Sequence, residues 1–375
     1  MNRKQLLLLL VVLLVIGGAG VVLMKRNNES WTLPDSRMGD KVLPNFQLNE
    51  VAAIHIQGDT SLDLVRKNDV WRVQERADYP ANFHQISDAL IKVRDLKVVQ
   101  SEPVSASELA QVNLEAPGKG AGSGMLVEFK DGQGKVLDSL ILGKMHLREG
   151  GSSPFNNGSP DGRYVLLPGD PKNALLISEP LSSFVPRPEH WVSKDFIKME
   201  KIKTISTTSA NIANAWKVSR ETESSPWALD AAKPGETLDT NFVSTVARML
   251  AYCTFMDVLT GPAPADSGMD QPKLVTIETF DHFTYTLKIG SKMPEENYYM
   301  KVAVASDLPM EKMATNLQDK LKQEQAFAPW VYAVSSGIVV PLLRDRARIM
   351  VEKKDGNASA TNPDSVKAVG ASAIK

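Results

Sequence analysis

The chain has 375 residues, 43% hydrophobic and 23% charged, a composition that supports two folded cores and excludes a wholly disordered polypeptide. Lys and Arg number 43 against 44 Asp and Glu, so the net charge of -1 offers no global field for a polyanion, and no nucleic-acid partner is expected. The single cysteine, Cys253, excludes an intramolecular disulfide, a cysteine metal cage and a lipid-modified cysteine behind a leader.

After Arg3 and Lys4 comes Leu6 to Met24, nineteen residues without a charge, followed by Lys25 and Arg26. At about 1.5 Å per residue this segment covers roughly the 30 Å hydrocarbon core of a bilayer, whereas a secretory h-region stops at about 7 to 15 residues. A cleaved signal peptide is the competing reading, because Leu6 to Ile16 is an h-region by itself and Gly17-Gly18-Ala19-Gly20 offers small residues to a peptidase. The apolar run resumes at Val21, which favours a retained anchor over residues 1–26. Basic residues flank both ends, and the amino terminus with Arg3 and Lys4 tilts the balance towards an inside N-terminus. A single pass through the inner (cytoplasmic) membrane is therefore expected, with the bulk of the chain extracytoplasmic. Residues 27–50, polar with two prolines between Asn27 and Asn49, read as a spacer.

A first unit is expected over 51–199. Ala53-Ile54-His55-Ile56 and Leu62-Asp63-Leu64-Val65 alternate as strands do, Lys67-Asn68-Asp69 turns, and Val70-Trp71-Arg72-Val73 returns. Phe83, Ile86, Ala89, Leu90 and Val93 recur at helical spacing behind a cap at Asn82, predicting an amphipathic helix across the sheet. Val98-Val99, Met125 to Phe129, Val136 to Leu142, Tyr164 to Leu167 and Ala174 to Ser178 add strands, and a short stretch, Pro180 to Val185, closes the unit.

The same order returns over 200–352. Ile202 to Ser206 opens, Ala215 to Val218 and Pro226 to Leu229 form the hairpin, and Asp239 caps a helix whose apolar face carries Phe242, Val246, Met249, Leu250 and Cys253. Leu274 to Thr279 and Thr284 to Ile289 pair through Phe280-Asp281-His282, and Phe283 to Lys292 repeats the Gly-Lys ending of Val136 to Lys144. Tyr298 to Lys301 matches the tyrosine strand of the first unit, Lys312 to Gln325 is a helical insertion, and Trp330 to Ser335 with Pro341 to Arg344 echoes the closing strand and stretch. Residues 353–375 read as a disordered tail. The fold expected is α+β: an N-terminal transmembrane helix, then two tandem repeats of antiparallel sheet with one packed helix each.

With these elements in place the sequence resembles domain-of-unknown-function family 4340, a family of membrane-anchored bacterial proteins. The resemblance is carried by VAAIHI, LVRKNDVWRV, LILGK, GRYVLL, ALLIS and the closing AFAPWVYAVSSGIVVPLLRDRARIM. It implies proximity to permeases and auxiliary subunits of ABC-type transporters, including ones similar to gliding-motility exporters, because such genes often lie side by side. It implies no reaction and no functional residue.

The candidates for chemistry have plain structural readings. Gly118 to Gly124, GKGAGSG, is not a dinucleotide fingerprint, because a strand rather than a helix follows it, and it reads as a linker. Gly143-Lys144 and Gly290-Ser291-Lys292 lack the upstream glycine of a P-loop and read as strand-end turns. His55, His84, His146, His190 and His282 show no ligand spacing, so no metal and no cofactor are expected, and His55 is expected to face solvent. A Ser with His190 and Glu189 would make a triad, but no G-x-S-x-G elbow supports it. Trp71, Trp227 and Trp330 read as core at matching positions rather than a sugar platform, Cys253 as a buried thiol, and Arg344-Asp345-Arg346-Ala347-Arg348 as a solvated helix face. The long loop Arg148 to Gly162 has no counterpart in the second unit and is where a partner contact is expected. No catalytic residue is nominated. The function expected is a non-catalytic, membrane-anchored accessory or scaffold of an ABC-type transport or export assembly, against the alternative of an envelope enzyme or glycan-binding module with a cleft between the two units.

Overall fold

The computed structural model describes residues 37–147, 160–208, 211–261 and 263–351. The expected anchor, the tail and residues 148–159 of the long loop lie outside the described residues. No helix among the described residues is long and apolar enough to cross a membrane.

The body is α+β and dominated by two large antiparallel sheets. The first contains β1 (Ala53–Gln57), β2 (Ser61–Lys67), β3 (Val70–Val73), β4 (Tyr79–Pro80), β5 (Val98–Pro103), β6 (Met125–Lys130), β7 (Val136–Leu147), β8 (Pro160–Leu167) and β9 (Asp170–Ile177). Their order is β4-β3-β2-β1-β6-β7-β8-β9-β5. The period-two pattern sets the faces: Ile54 and Ile56, Leu62 and Leu64, and Val127 and Phe129 are buried while their neighbours turn out. Helix α1 (Phe83–Arg94) starts where Asn82 Oδ1 accepts the Gln85 amide at 3.2 Å. It buries Ile86, Ala89, Leu90 and Val93 in the core, whereas Phe83, one turn earlier on the same stripe, is 60% exposed, so the buried face begins only at the second turn. The opposite face of the sheet carries a smaller cluster, Leu114, Ile141, Leu166 and Ala174, with Leu109 and Val112 packed on it. These last two belong to and follow α2 (Ala106–Gln111), which opens with a capping box between Ser105 and Glu108.

The second sheet contains β10 (Ile202–Thr207), β11 (Trp216–Ser219), β12 (Ala228–Leu229), β13 (Asp257–Leu259), β14 (Lys273–Thr279), β15 (Phe283–Lys292), β16 (Asn297–Ser306) and β17 (Val331–Ser335). Its order, β12-β11-β10-β14-β15-β16-β17-β13, is that of the first sheet without β4. In both sheets the strand after the long helix crosses to the far edge and pairs with the last strand, β5 on β9 and β13 on β17. Helix α3 (Thr240–Ala251) is capped by Asp239 Oδ1 on the Phe242 amide at 3.0 Å and buries Val243, Val246 and Leu250. Two further helices, α4 (Thr315–Gln325) and α5 (Ser336–Leu342), complete the unit.

Three expectations are corrected here. Part of the polar stretch 27–50 is not a spacer: Val42, Leu43 and Phe46 are buried, the Val42 amide donates to the Leu96 carbonyl at 3.0 Å, and Phe46 packs edge-on against Phe129 at 5.1 Å. Polar flanking composition hid these three apolar anchors. Gly143-Lys144 does not end its strand but sits at a register shift inside β7, which runs on to Leu147, whereas Gly290-Ser291-Lys292 are the last three residues of β15, at the shift between Ile289 and Lys292. A Cβ at Gly143 would collide with the Val112 carbonyl oxygen, and one at Gly290 with the Ser267 carbonyl oxygen, so glycine is required at both by close backbone approach. The basic run at 344–348 is not one solvated helix face. Arg344 lies over the Phe242 ring at 4.5 Å, and Arg346 pairs with Glu236 through Nε at 3.2 Å and Nη2 at 2.8 Å.

Candidate functional site

Two places gather side chains in ways the shared scaffold does not require: the junction between the units and a pocket on the first. The junction is aromatic. Tyr79, at the end of the first meander, meets Trp330 edge-on at 4.8 Å, Phe255 at 5.8 Å and Tyr332 at 6.1 Å. Phe196, in the segment leading to the second unit, lies 4.7 Å from Tyr332, 5.0 Å from Phe255 and 5.5 Å from Phe327. Edge and tilted arrangements at these separations are the favourable ones for rings. Beside them Arg76 forms a fork with Asp257, Nε to Oδ1 and Nη2 to Oδ2 both at 2.7 Å, and the Lys194 ammonium reaches the Met256 carbonyl at 2.7 Å. The buried residues of both units form one continuous core. A groove of about 460 Å³ remains at its edge, lined by Ala77 from the first unit and Lys288, Lys301 and Trp330 from the second.

The pocket is larger, about 820 Å³, and lies where the β1–β2 turn, the start of β6, the shifted part of β7, β8 and the 182–186 segment converge. Arg163 on β8, opposite Met145 on β7, projects into it. Its Nε donates to the Gly143 carbonyl at 2.9 Å, and Nη1 donates to the Pro180 and Leu181 carbonyls at 3.3 and 3.5 Å. No carboxylate among the described residues pairs with it, and burial alone takes the guanidinium down to about 10. Leu181 is held in the left-handed region at φ 49° with its side chain fully buried, a strained backbone fixed by that burial and by the arginine. Trp191 Nε1 to the Val185 carbonyl at 2.8 Å and Thr60 Oγ1 to the Pro186 carbonyl at 2.6 Å tether the rest of the segment.

The opposite wall is the glycine-rich loop. Glu115 and Gly124 exchange backbone contacts with the loop ends, the Glu115 amide to the Gly122 carbonyl at 3.1 Å and the Gly124 amide to the Glu115 carbonyl at 2.8 Å. Gly118 and Gly120 take positive φ with open space around them, and Gly124 is needed because a Cβ would lie 2.6 Å from the Asn113 carbonyl oxygen. The second unit has neither feature. Leu142 faces Val165 and Ile289 faces Met300, so the next shifted pairs, Met145 with Arg163 and Lys292 with Tyr298, place a tyrosine where the first unit has its arginine. Between the left-handed residue after the short helix and the next strand the first unit runs through 114–124, the second only through 269–272.

The sequence candidates are dispersed. His55, His146 and His282 each pair with one aspartate, Asp63 at 2.8 Å, Asp161 at 2.6 Å and Asp307 at 3.0 Å; His55 lies on the outward face of β1, half-buried beside Asp63. Among the described residues no group of three or more His, Cys, Asp or Glu is placed to hold a metal. Glu189 turns to Arg76 at 3.5 Å and not to the His190 ring, which meets Trp191 edge-on at 5.6 Å. Cys253 is buried, and desolvation pushes its thiol up to about 12. Trp71 and Trp227 are buried on their hairpins, whereas Trp330 precedes the last strand and belongs to the junction, so it does not share their position. A lone Arg in GRYVLL carries no pattern that singles out Arg163, and the S-x-x-E box of α2 precedes only six residues, too few for a helical period to show.

No curated protein and no solved structure matches the chain. The model of the domain of unknown function DUF4340 matches residues 71–272, from the meander tryptophan through the whole glycine-rich wall to the approach to β14. Spanning more than half of the 375 residues, that match makes the chain a member of the DUF4340 family.

Proposed function

We propose that this chain is a non-catalytic accessory or scaffold protein of an ABC-type transport or export assembly. Residues 6–24 hold it to the inner membrane, and the body, two copies of one ancestral α+β module, stands on the extracytoplasmic side. The observation that carries the reading is the junction: Tyr79, Phe196, Phe255, Trp330 and Tyr332 weld the copies into one continuous core. The common strand order supports descent from one module, and the uncharged segment Leu6 to Met24 supports the anchor. An accessory protein needs a rigid body that keeps its surface when a partner moves, and a continuous core supplies it. In-cell crosslinking followed by detergent extraction and pull-down of the full-length chain is expected to recover permease or auxiliary transporter subunits. Recovery of none, in repeated experiments in which the chain itself is captured, would overturn the reading.

A further inference from the structure

We infer that the Arg163 pocket is a binding site for an organic monoanion, a carboxylate that carries an apolar substituent. A guanidinium has five N–H donors and cannot shed its proton at neutral pH, so burying one without a carboxylate is costly. Arg163 offsets that cost with three backbone carbonyls, two of them at the long distances of 3.3 and 3.5 Å, and Nη2 has no hydrogen-bond partner among the described residues. The donors left over face a cavity of about 820 Å³, within the span of small-molecule sites, about 300–1,000 Å³. A planar carboxylate matches the guanidinium fork. The rest of the lining defines the ligand's body: Met125, Leu142, Met145 and Phe184 are apolar, and among the described residues no second basic side chain lines the cavity, which disfavours a polyphosphate. Asp59 also lines the cavity but is exposed to solvent and forms no ion pair with the arginine. The second unit has tyrosine at the corresponding position and no glycine-rich wall, so the site is an elaboration of one copy and not a demand of the fold.

The acid has two possible sources, a free aliphatic or aryl acid and the C-terminus of a peptide with an apolar last residue, and both present the same chemistry to Arg163. Calorimetric titration of the full-length chain with 4-phenylbutanoate, N-acetyl-Leu-Leu, 4-phenylbutanamide and inorganic phosphate tests the site. At least one of the two carboxylates is expected to bind at micromolar to millimolar concentration, and which one it is identifies the source. The amide is expected to bind at least about tenfold more weakly, since a charge-assisted hydrogen bond contributes a factor of this order, and phosphate is expected not to bind. Arg163→Met should lose the carboxylate by the same factor or more. Because that variant also releases the Pro180 and Leu181 carbonyls, Ala121→Trp and Ser182→Trp provide an independent check: both positions are exposed and line the cavity, and filling it should abolish the titration with the arginine in place. Equal affinity for amide and acid, undiminished binding in Arg163→Met or in both tryptophan variants, or no binding of either carboxylate overturns the inference. It does not rest on the accessory-protein reading, because the pull-down and the titration fail independently.

Discussion

Phe196→Ala is the sharpest test of the junction. The side chain is 5% exposed and touches three other rings at 4.7, 5.0 and 5.5 Å, two of which, Phe255 and Tyr332, also contact Tyr79 of the first unit. Truncating a buried phenylalanine costs about 3–5 kcal/mol through lost transfer energy and the cavity left behind, and each favourable ring pair contributes about 0.5–1.5 kcal/mol beyond burial. The surroundings cannot collapse easily, because Tyr332 is fixed by its hydroxyl on the Phe327 carbonyl at 3.0 Å and strand β17 runs on both sides of it. The upper half of the range, about 4–5 kcal/mol, is therefore expected. Hydrogen exchange read by mass spectrometry resolves the two units: in the unaltered chain the slowest amides of β6 and β15 should open together, and in Phe196→Ala both should lose protection by the same amount. A loss below about 1 kcal/mol, or one confined to the second unit, would refute the view that the two sheets share one core.

Two other outcomes follow from single residues. Burial raises the Glu324 carboxyl above the usual range, although Tyr285 donates to it at 2.7 Å and the Lys198 amide at 2.9 Å; a raised folded-state pKa means the folded state holds the proton more tightly, so stability falls as pH rises from the unfolded glutamate value, about 4.3, through the folded one. Glu324→Gln should flatten that decline in a series of thermal melts, and an unchanged pH profile would show that the carboxyl is not the titrating group. Gly143→Ala should cost about 2–3 kcal/mol in urea denaturation, because its Cβ meets the backbone oxygen of Val112 and Leu114 Cδ2 at 2.7 Å, neither with room to move, whereas Gly132→Ala, in open space, should be neutral within about 0.5 kcal/mol.

What could be read in the sequence was whatever repeats along a single element. Alternation in Ile54-His55-Ile56 and Leu62-Asp63-Leu64, the capped stripes after Asn82 and Asp239, and their recurrence in one order sufficed for both long helices and both sheets apart from the short edge strands β4 and β13, because period and capping are local properties. Elements that lean on distant partners escaped. Val42 and Phe46 look like solvated linker until Leu96 and Phe129 are beside them, and Arg346 looks like surface charge until Glu236 meets it.

The sequence by itself determined an α+β body of antiparallel sheet, the absence of an intramolecular disulfide and the buried state of Trp71, Trp227 and Cys253, since burial pattern and composition decide these one element at a time. Only the tertiary structure decided that the units share a core and that Gly143, the GKGAGSG loop and Arg163 face one another across a cavity. Those arrangements depend on which strand pairs with which over separations of tens of residues, and on shifts of register at β7 that carry no signature in the order of the amino acids.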